Sequence, residues 1–518
     1  MSIVSFAVSE DNPVTKKTVE AQLNKLGVSL LPGEEDEFHK FLAAAHETAR
    51  SVEAMCDYKP QTDLVRFPRK NVQSILGKDA LGAWVYKFDL QDTNENHGPL
   101  AGVSICIKDC IGIASIPQVM GTDCWDPWVP SADATVVTRL LEAGAKIVGT
   151  SNCEQLCAFT GSHTSCLGNV HNPYLHGHSA GGSSSGSAAL VAANEADMAL
   201  GADQGGSIRI PAAMCGLVGL KPTFGLVPYT GITSNEYTLD HVGPMTKTVE
   251  QNVTLLQVLA GSDLLDDRQS AVPLNVNFEF KEPRKLTIGI LKEAFEAPFL
   301  DEAMKQKVFS AIDKFREVGY NVVEVSIPMH AQAPELWSVI ERVSGLHSRL
   351  GHASGRRLYS DPEFFKHTNG LGDKFFSKAP VNVRNSIING LYFEENFPGI
   401  FAKATNLVLK LQSEYNKALS EVDLLVLPTT PFCAPQHGPR EGLPTERVKS
   451  TFGVNINTCP FNLSGHPALS LPIGFLPCKT SPSQKLPVGM QVVGKHFDES
   501  TIYTAAFAWE QHFDWRLN

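Results

Sequence analysis

Two short clusters, Gly181-Gly182-Ser183-Ser184-Ser185-Gly186 and Gly205-Gly206-Ser207, hold the residues of this sequence whose types and spacing could do chemistry. Glycine is needed where the backbone takes unusual dihedrals or approaches a ligand closely. A serine at such a turn presents a hydroxyl and an N–H together. Ser183 and Ser207 stand 24 positions apart. A bare serine hydroxyl is a weak nucleophile and needs a base. A histidine is one option, and His176 and His178 lie just ahead of the first cluster, although loop histidines are ordinarily solvated. A desolvated lysine whose pKa falls until it is partly neutral is another. Lys108, in Ile107-Lys108-Asp109, sits just past an apolar run; taken alone it reads as an exposed strand-end charge. Asp203 reads equally as a brace for the second loop and as a turn-forming side chain.

Both clusters must sit at the ends of elements, where sites are usually built. Between them Ser187 to Asn194 is a helix candidate and Met198 to Leu200 a strand. Upstream, Gly102 to Ile107 reads as a strand, Ala134 to Ala143 as a helix closed by Gly144, and Lys146 to Gly149 as the next strand. The pattern repeats at Leu286–Leu291, Asp301–Val318 and Tyr320–Ile327. Alternating strands and helices predict an α/β fold with a twisted mixed sheet, mainly parallel, and helices on both sides. Residues 12–57 read as two helices, the second carrying Phe38, Phe41, Leu42, Ala45 and Val52 on one face. Tyr58 to Lys70 reads as a connector. The expected organisation is an N-terminal helical appendage over residues 1–70 and one domain over 71–518. Within that domain, residues 330–410 mix Trp337, Phe364, Phe365, Phe375, Phe376, Tyr392, Phe393 and Phe397 with His347, Arg349, His352, Arg356, Arg357 and His367. They read as a helical insertion over a pocket, or as an ordinary packed layer.

The chain has 518 residues, 43% apolar and 19% charged, with a formal net charge of −11. That balance excludes disordered, collagen-like and coiled-coil classes. A net-negative chain is a poor non-specific nucleic-acid binder, so no nucleic-acid partner is expected. No run approaches the length of a membrane span. The apolar stretch Ile3 to Val8 lacks a basic flank. The eleven cysteines are odd in number and contain no C-x-x-C pair. With no secretory leader, they favour a reducing, cytoplasmic setting. Cys106/Cys110 and Cys153/Cys157 each sit four apart; the ordinary reading is small buried side chains rather than a metal site.

The chain closely resembles the amidase signature enzymes. The core of the resemblance is Gly181-Gly182-Ser183-Ser184 followed by Gly201-Ala202-Asp203-Gln204-Gly205-Gly206-Ser207-Ile208-Arg209-Ile210-Pro211, with Lys108 placed 75 positions before Ser183. It extends through Gly149-Thr150-Ser151-Asn152, Gly216 to Thr223, Gly243-Pro244-Met245, Leu427 to Pro431, Gly465-His466-Pro467-Ala468 and Leu486 to Gln491, and so spans roughly residues 80–510. The resemblance implies a Ser-Ser-Lys triad: Ser207 as nucleophile, Ser183 as relay after a cis Gly182–Ser183 peptide, and unprotonated Lys108 as base. It further implies an oxyanion hole of the Gln204, Gly205, Gly206 and Ser207 backbone N–H groups, with Gly182, Asp203 and Arg209 in support. The implied activity is cleavage of a small-molecule amide, with esters and carbamates open to the same nucleophile, and with no metal and no cofactor.

Two departures stand out. The family usually has Thr where this chain has Ala202, and many members have Gly at Ser185. A member repurposed for acyl transfer or condensation and a glutamine-dependent amidotransferase subunit remain alternatives, as does a silent scaffold. Gly182 to Gly186 also satisfies G-x-S-x-G, which would make Ser184 the nucleophile of an α/β-hydrolase. That elbow should follow a buried strand, and Pro173 to His178 is a poor one. No phosphate-binding glycine motif is present. The substrate and the oligomeric state are not readable, although a homodimer is a common arrangement.

Overall fold

The computed structural model describes residues 6–94, 97–269, 273, 276–280, 285–349, 359–368 and 372–517. His352, Arg356, Arg357, the side chain of Arg349, and residues 3–5 of the N-terminal apolar stretch lie outside the described residues. The strands are β1 (Arg69–Ser74), β2 (Trp84–Leu90), β3 (Ser104–Lys108), β4 (Lys146–Ser151), β5 (His171–Asn172), β6 (Leu175–Ser179), β7 (Met198–Asp203), β8 (Val218–Lys221), β9 (His241–Thr246), β10 (Thr287–Leu291), β11 (Asn321–Val325), β12 (Leu424–Pro428), β13 (Ala468–Cys478) and β14 (Ser481–Val493). Twelve of them form one sheet in the order β1-β2-β4-β3-β7-β9-β8-β13-β14-β12-β10-β11, and β5 and β6 form a separate ribbon.

The sheet is mixed, as expected, but it is not mainly parallel. Among the described residues β3 pairs in parallel with β4 and β7, and β10 with β11 and β12. The other seven neighbour pairs are antiparallel. The physical reason lies in what each pairing shows in sequence. Parallel neighbours need a crossover, usually a helix, and the amphipathic helices Thr135–Glu142 and Glu302–Glu317 advertise theirs. Strands β8 and β9 and the facing halves of β13 and β14 are buried on both sides. They carry glycine and proline and show no alternation, so periodicity misses them. The predicted poor strand before Ser183 is also corrected: Leu175–Ser179 is β6, paired with β5 outside the main sheet.

Period-two alternation sets the direction of Lys108. Ile105 and Ile107 enter a core with Ile147, Leu200, Val218 and the helix Thr135–Glu142, whereas Cys106 enters one with Ala199, Met245 and the helix Ser185–Ala192. Helices therefore flank both faces. Successive strand residues point to opposite faces, so Lys108 shares the side of Cys106, under the helix that begins just after Ser184. Residues 333–421 carry five helices among the described residues: Ala333–Arg349, Pro362–Thr368, Asp373–Lys378, Val381–Asn396 and Ile400–Glu421.

The chain divides into two compact units, Met1–Pro60 and Gln61–Asn518. The first holds helices Lys16–Leu26 and Glu35–Glu53. The Thr15 side chain accepts the Thr18 N–H at the start of the first helix, and Gly27 closes it in the left-handed region. Phe38 and Val52, on the face they share with Phe41 and Leu42, are exposed. In the second unit Arg69 and Lys70, expected in a connector, begin β1.

Ile107 is fully buried in the larger core. Ile107→Ala is expected to lower unfolding free energy by about 2–5 kcal/mol, read as a fall in the urea midpoint at unchanged slope. An unmoved midpoint contradicts that packing.

Candidate active site

Lys108 is buried, and its Nζ donates to Ser183 Oγ at 2.8 Å and to the Ala202 carbonyl at 3.2 Å. The neighbouring Asp109 is buried too, and its Oδ2 accepts the Val119 and Met120 N–H groups at 2.9 and 2.7 Å. Burial pushes its carboxyl up to about 8, so at neutral pH it is mostly uncharged. Burial is also the largest influence on Lys108 and favours its neutral amine. Electrostatic interaction with Cys157 foremost, then with Cys110, Cys153 and Asp203, opposes this, and the amine stands above its ordinary value. The sequence leads one to expect that desolvation lowers it; the sulfurs around it are the reason for the difference.

Ser183 follows a cis peptide from Gly182. A Cβ on Gly182 would sit 2.9 Å from Glu154 Cγ and 3.0 Å from the Phe159 carbonyl oxygen, so no side chain fits. The Ser183 carbonyl accepts the Glu154 N–H at 3.2 Å. Ser184 is buried and pinned by two bonds to β7: its Oγ accepts the Ala202 N–H and donates to the Ala202 carbonyl, both at 3.2 Å. It presents no free hydroxyl, which removes the G-x-S-x-G reading. Among the described residues Ser185 Oγ is buried without a hydrogen-bond partner.

Ser207 lies between β7 and the helix Arg209–Cys215, and its carbonyl accepts the Ser184 N–H at 3.2 Å. That bond ties the two Gly/Ser loops together. No hydrogen bond joins the Ser183 and Ser207 hydroxyls among the described residues, and Ser207 lines a cavity. The loop carbonyls are each anchored. Trp337 Nε1 donates to Gln204 O at 3.0 Å, Thr458 Oγ1 to Gly205 O at 2.6 Å, and the Ile210 N–H to Gly206 O at 2.7 Å. In a trans peptide the N–H points away from its carbonyl, so these anchors orient the N–H groups of Gly205, Gly206 and Ser207. The Gly206 N–H is taken by Asp203 Oδ1 at 2.7 Å. Of the four expected oxyanion donors, Gln204, Gly205 and Ser207 remain. Gly206 has φ +132, and a Cβ there would meet Thr458 Oγ1 at 2.3 Å.

Asp203 and Arg209 form a buried ion pair, with Nε and Nη2 donating to the carboxylate at 3.0 and 2.9 Å. Nη1 donates to Thr458 O and Gln491 Oε1 at 2.8 and 2.7 Å, and Nη2 also to Asn462 Oδ1 at 2.7 Å. All five guanidinium N–H donors are therefore used. Asp203 additionally accepts the Ile208 N–H at 3.1 Å and Asn462 Nδ2 at 2.9 Å. Burial opposes its ionisation, but the Arg209 charge and these donors hold it well below the usual carboxylate range.

The cavity is about 600 Å³, and its lining includes Phe159, Gln204, Ser207, Trp337, Phe376 and Phe452. Its size is that of a small-molecule site. His178 Nε2 contacts Thr480 Oγ1 at 3.0 Å and Cys478 Sγ at 3.2 Å, and His176 stacks on His171 at 3.6 Å, so neither histidine serves Ser207. Among the described residues no group of three or more His, Cys, Asp or Glu is placed to hold a metal ion, and no helix is long and apolar enough to cross a membrane. Reading the sequence misses the roles of Trp337, Thr458, Asn462 and Gln491. Gln491 stands in a segment that the family resemblance covers and Trp337 in an aromatic one, but nothing local marks Thr458 or Asn462.

Asp203→Asn leaves the guanidinium buried without its anion, which costs about 3–5 kcal/mol. Because the folded pKa of Asp203 is depressed, the pair contributes fully above the unfolded value of about 3.9 and is lost as pH falls through the folded one. Urea melts should show the wild type more stable by that margin at neutral pH, with the gap closing only in strong acid. A variant equal to wild type at pH 7 contradicts the pairing.

An amidase family profile matches residues 71–503. The chain is 38% identical over 440 residues to an enantioselective amidase of Rhodococcus rhodochrous, covering 83% of each chain. It is 35% identical over 435 residues to a glutamyl-tRNA(Gln) amidotransferase subunit of Methanosarcina acetivorans, covering 82% of this chain and 87% of that one. The crystal structure of the corresponding Thermotoga maritima protein superposes with a TM-score of 0.66 at 28% identity, covering 83% and 87% of the two chains. The chain belongs to the amidase signature family.

Proposed function

We propose that the protein hydrolyses carboxylic amides through an acyl-enzyme on Ser207, with Ser183 as relay and Lys108 as base. The observation that carries this reading is the 2.8 Å contact of Lys108 Nζ with Ser183 Oγ, beside a loop whose serine opens onto a ligand-sized cavity. Neutral Lys108 accepts the Ser183 proton as Ser183 accepts that of Ser207, and Ser207 Oγ attacks the amide carbon. The Ser183–Ser207 contact is the one the reaction must close; catalytic hydrogen bonds often tighten only once substrate is bound. Negative charge on the carbonyl oxygen is met by the Gly205 and Ser207 N–H groups, with Gln204 N–H in support. Losing one such donor costs about 2.7–4 kcal/mol in the transition state. The proton returns to the leaving nitrogen and frees the amine. Water then repeats the cycle and releases the carboxylic acid.

The cavity wall of Phe159, Trp337, Phe376, Ile388, Val448 and Phe452 supports a bulky apolar or aromatic acyl group. The helices of residues 330–410 act here as an insertion that supplies part of this wall. The relatives at about 35% identity favour a second reading, an amidotransferase subunit that passes the released nitrogen to a partner's acceptor. Hydrolysis of a simple amide by the purified chain alone separates the two.

A screen of primary amides, anilides and esters should show turnover by wild type and a loss of about 10⁴-fold or more in Ser207→Ala. Turnover surviving Ser207→Ala would exclude this nucleophile. The base acts only when neutral, and Lys108 stands above its ordinary value. The chemical step should therefore accelerate continuously with pH into the alkaline range. A flat profile between about pH 5 and 9 counts against Lys108.

A further inference from the structure

All eleven cysteines are free thiols, and three of them gather beside Lys108. Cys157 is half-buried and lines the cavity that Ser207 lines. Cys153, fully buried just past β4, has its Sγ 3.6 Å from that of Cys157. The segment between them is not a regular helix. Leu156 and Cys157 have φ +57 and +55, left-handed at two non-glycine residues, and this folds the chain so that the two sulfurs meet. Cys110, buried next to Asp109, is the third sulfur beside Cys157 and Lys108.

We infer that Cys157 and Cys153 are a peroxide-oxidisable pair, with Cys157 the sulfur an oxidant meets from the substrate cavity and the resulting cross-link disabling the active site. Redox-responsive cysteines combine thiolate character, access and a neighbouring resolving thiol. The neighbouring Cys110 and then Cys153 sulfurs, with the nearby Lys108 charge, outweigh burial and hold Cys157 well below the usual thiol range. The Cys157 thiolate attacks one oxygen of hydrogen peroxide, the O–O bond breaks, and the departing hydroxide leaves as water after taking a proton, giving a sulfenic acid. The Cys153 sulfur then attacks the Cys157 sulfur, the S–O bond breaks, and hydroxide leaves with the Cys153 proton as a second water. Two thiols are oxidised by two electrons in all, and one peroxide is reduced.

The same segment holds the relay serine. The Glu154 N–H binds the Ser183 carbonyl at 3.2 Å, and the Asn152 carbonyl accepts the Gly186 N–H at 2.9 Å. Gly182 already lies against Glu154 and Phe159 without room for a methyl group. Drawing the sulfurs in to the about 2.05 Å of a disulfide moves the chain on both sides of Glu154. A shift of about 1 Å in a catalytic group can cost about a hundredfold in rate. The cross-link stands independently of the amidase reading; its effect on turnover rests on it.

The reduced full-length protein is treated with stoichiometric hydrogen peroxide, remaining thiols are alkylated, and intact mass and peptide mapping are read beside amide turnover. The expected result is a species lighter by two hydrogens with Cys153 joined to Cys157. Turnover should fall about a hundredfold and recover with dithiothreitol. Cys153→Ser should trap the sulfenic acid on Cys157 as a dimedone adduct with no cross-link, and Cys110→Ser should still form it. Absence of the cross-link, or pairing of Cys157 with Cys110, overturns the pair. A full cross-link with unchanged turnover overturns its control of the site. A reduced enzyme that turns over no amide counts against the amidase reading, and mass alone then decides the pair.

Discussion

A lysine amine buried 2.8 Å from a buried serine hydroxyl is the contact around which the other features of the site are arranged. An ammonium in such a place is costly unless something repays its lost hydration, and the acceptors it meets are Ser183 Oγ and the Ala202 carbonyl. Both belong to elements that β3 itself organises. Ala202 is in β7, the parallel neighbour of β3, and Ser183 immediately precedes the stretch that becomes the helix over the same sheet face. The alternation Ile105, Cys106, Ile107, Lys108 brings the amine to that face. One sheet register therefore places the Lys108 amine and the Ser183 hydroxyl together before any side-chain choice at the cavity matters.

The Gly205–Ser207 loop is held by a second buried charge. Arg209 is fully buried with every donor used, and Asp203 binds the loop backbone at Gly206 and Ile208. A buried pair of this kind contributes little net stability, but removing one partner is expensive. Its consequence here is positional. The guanidinium links the loop to Thr458, Asn462 and Gln491, so a helix end, a helix and a strand near the C-terminus brace a serine more than two hundred residues earlier. Trp337 and Thr458 turn the Gln204 and Gly205 carbonyls aside, which aims the opposite N–H groups.

The clusters and Lys108 are legible in the sequence because glycine and serine at such density have few roles, and because the surrounding residues match a family. Strands such as β3 and β10 are readable through the amphipathic helices beside them. Strands β8 and β9 and the facing halves of β13 and β14 are not, since burial on both faces erases the alternation that marks a strand. Asn462 and Thr458 carry no local signal; their roles exist only through contacts across more than two hundred residues of chain. The charge state of Lys108 is hidden for a related reason. Cys153 and Cys157, four apart, read as small buried side chains, whereas the left-handed turn at Leu156 and Cys157 brings their sulfurs together beside the amine.

The most direct test of the Lys108–Ser183–Ser207 arrangement is to quench the enzyme during turnover of a slow ester and map the acyl group by mass spectrometry, in wild type and in Lys108→Met. Acylation is predicted on Ser207 alone, appearing far more slowly without the lysine. Acyl groups on Ser183 or Ser184, or an acylation rate indifferent to Lys108→Met, would contradict it.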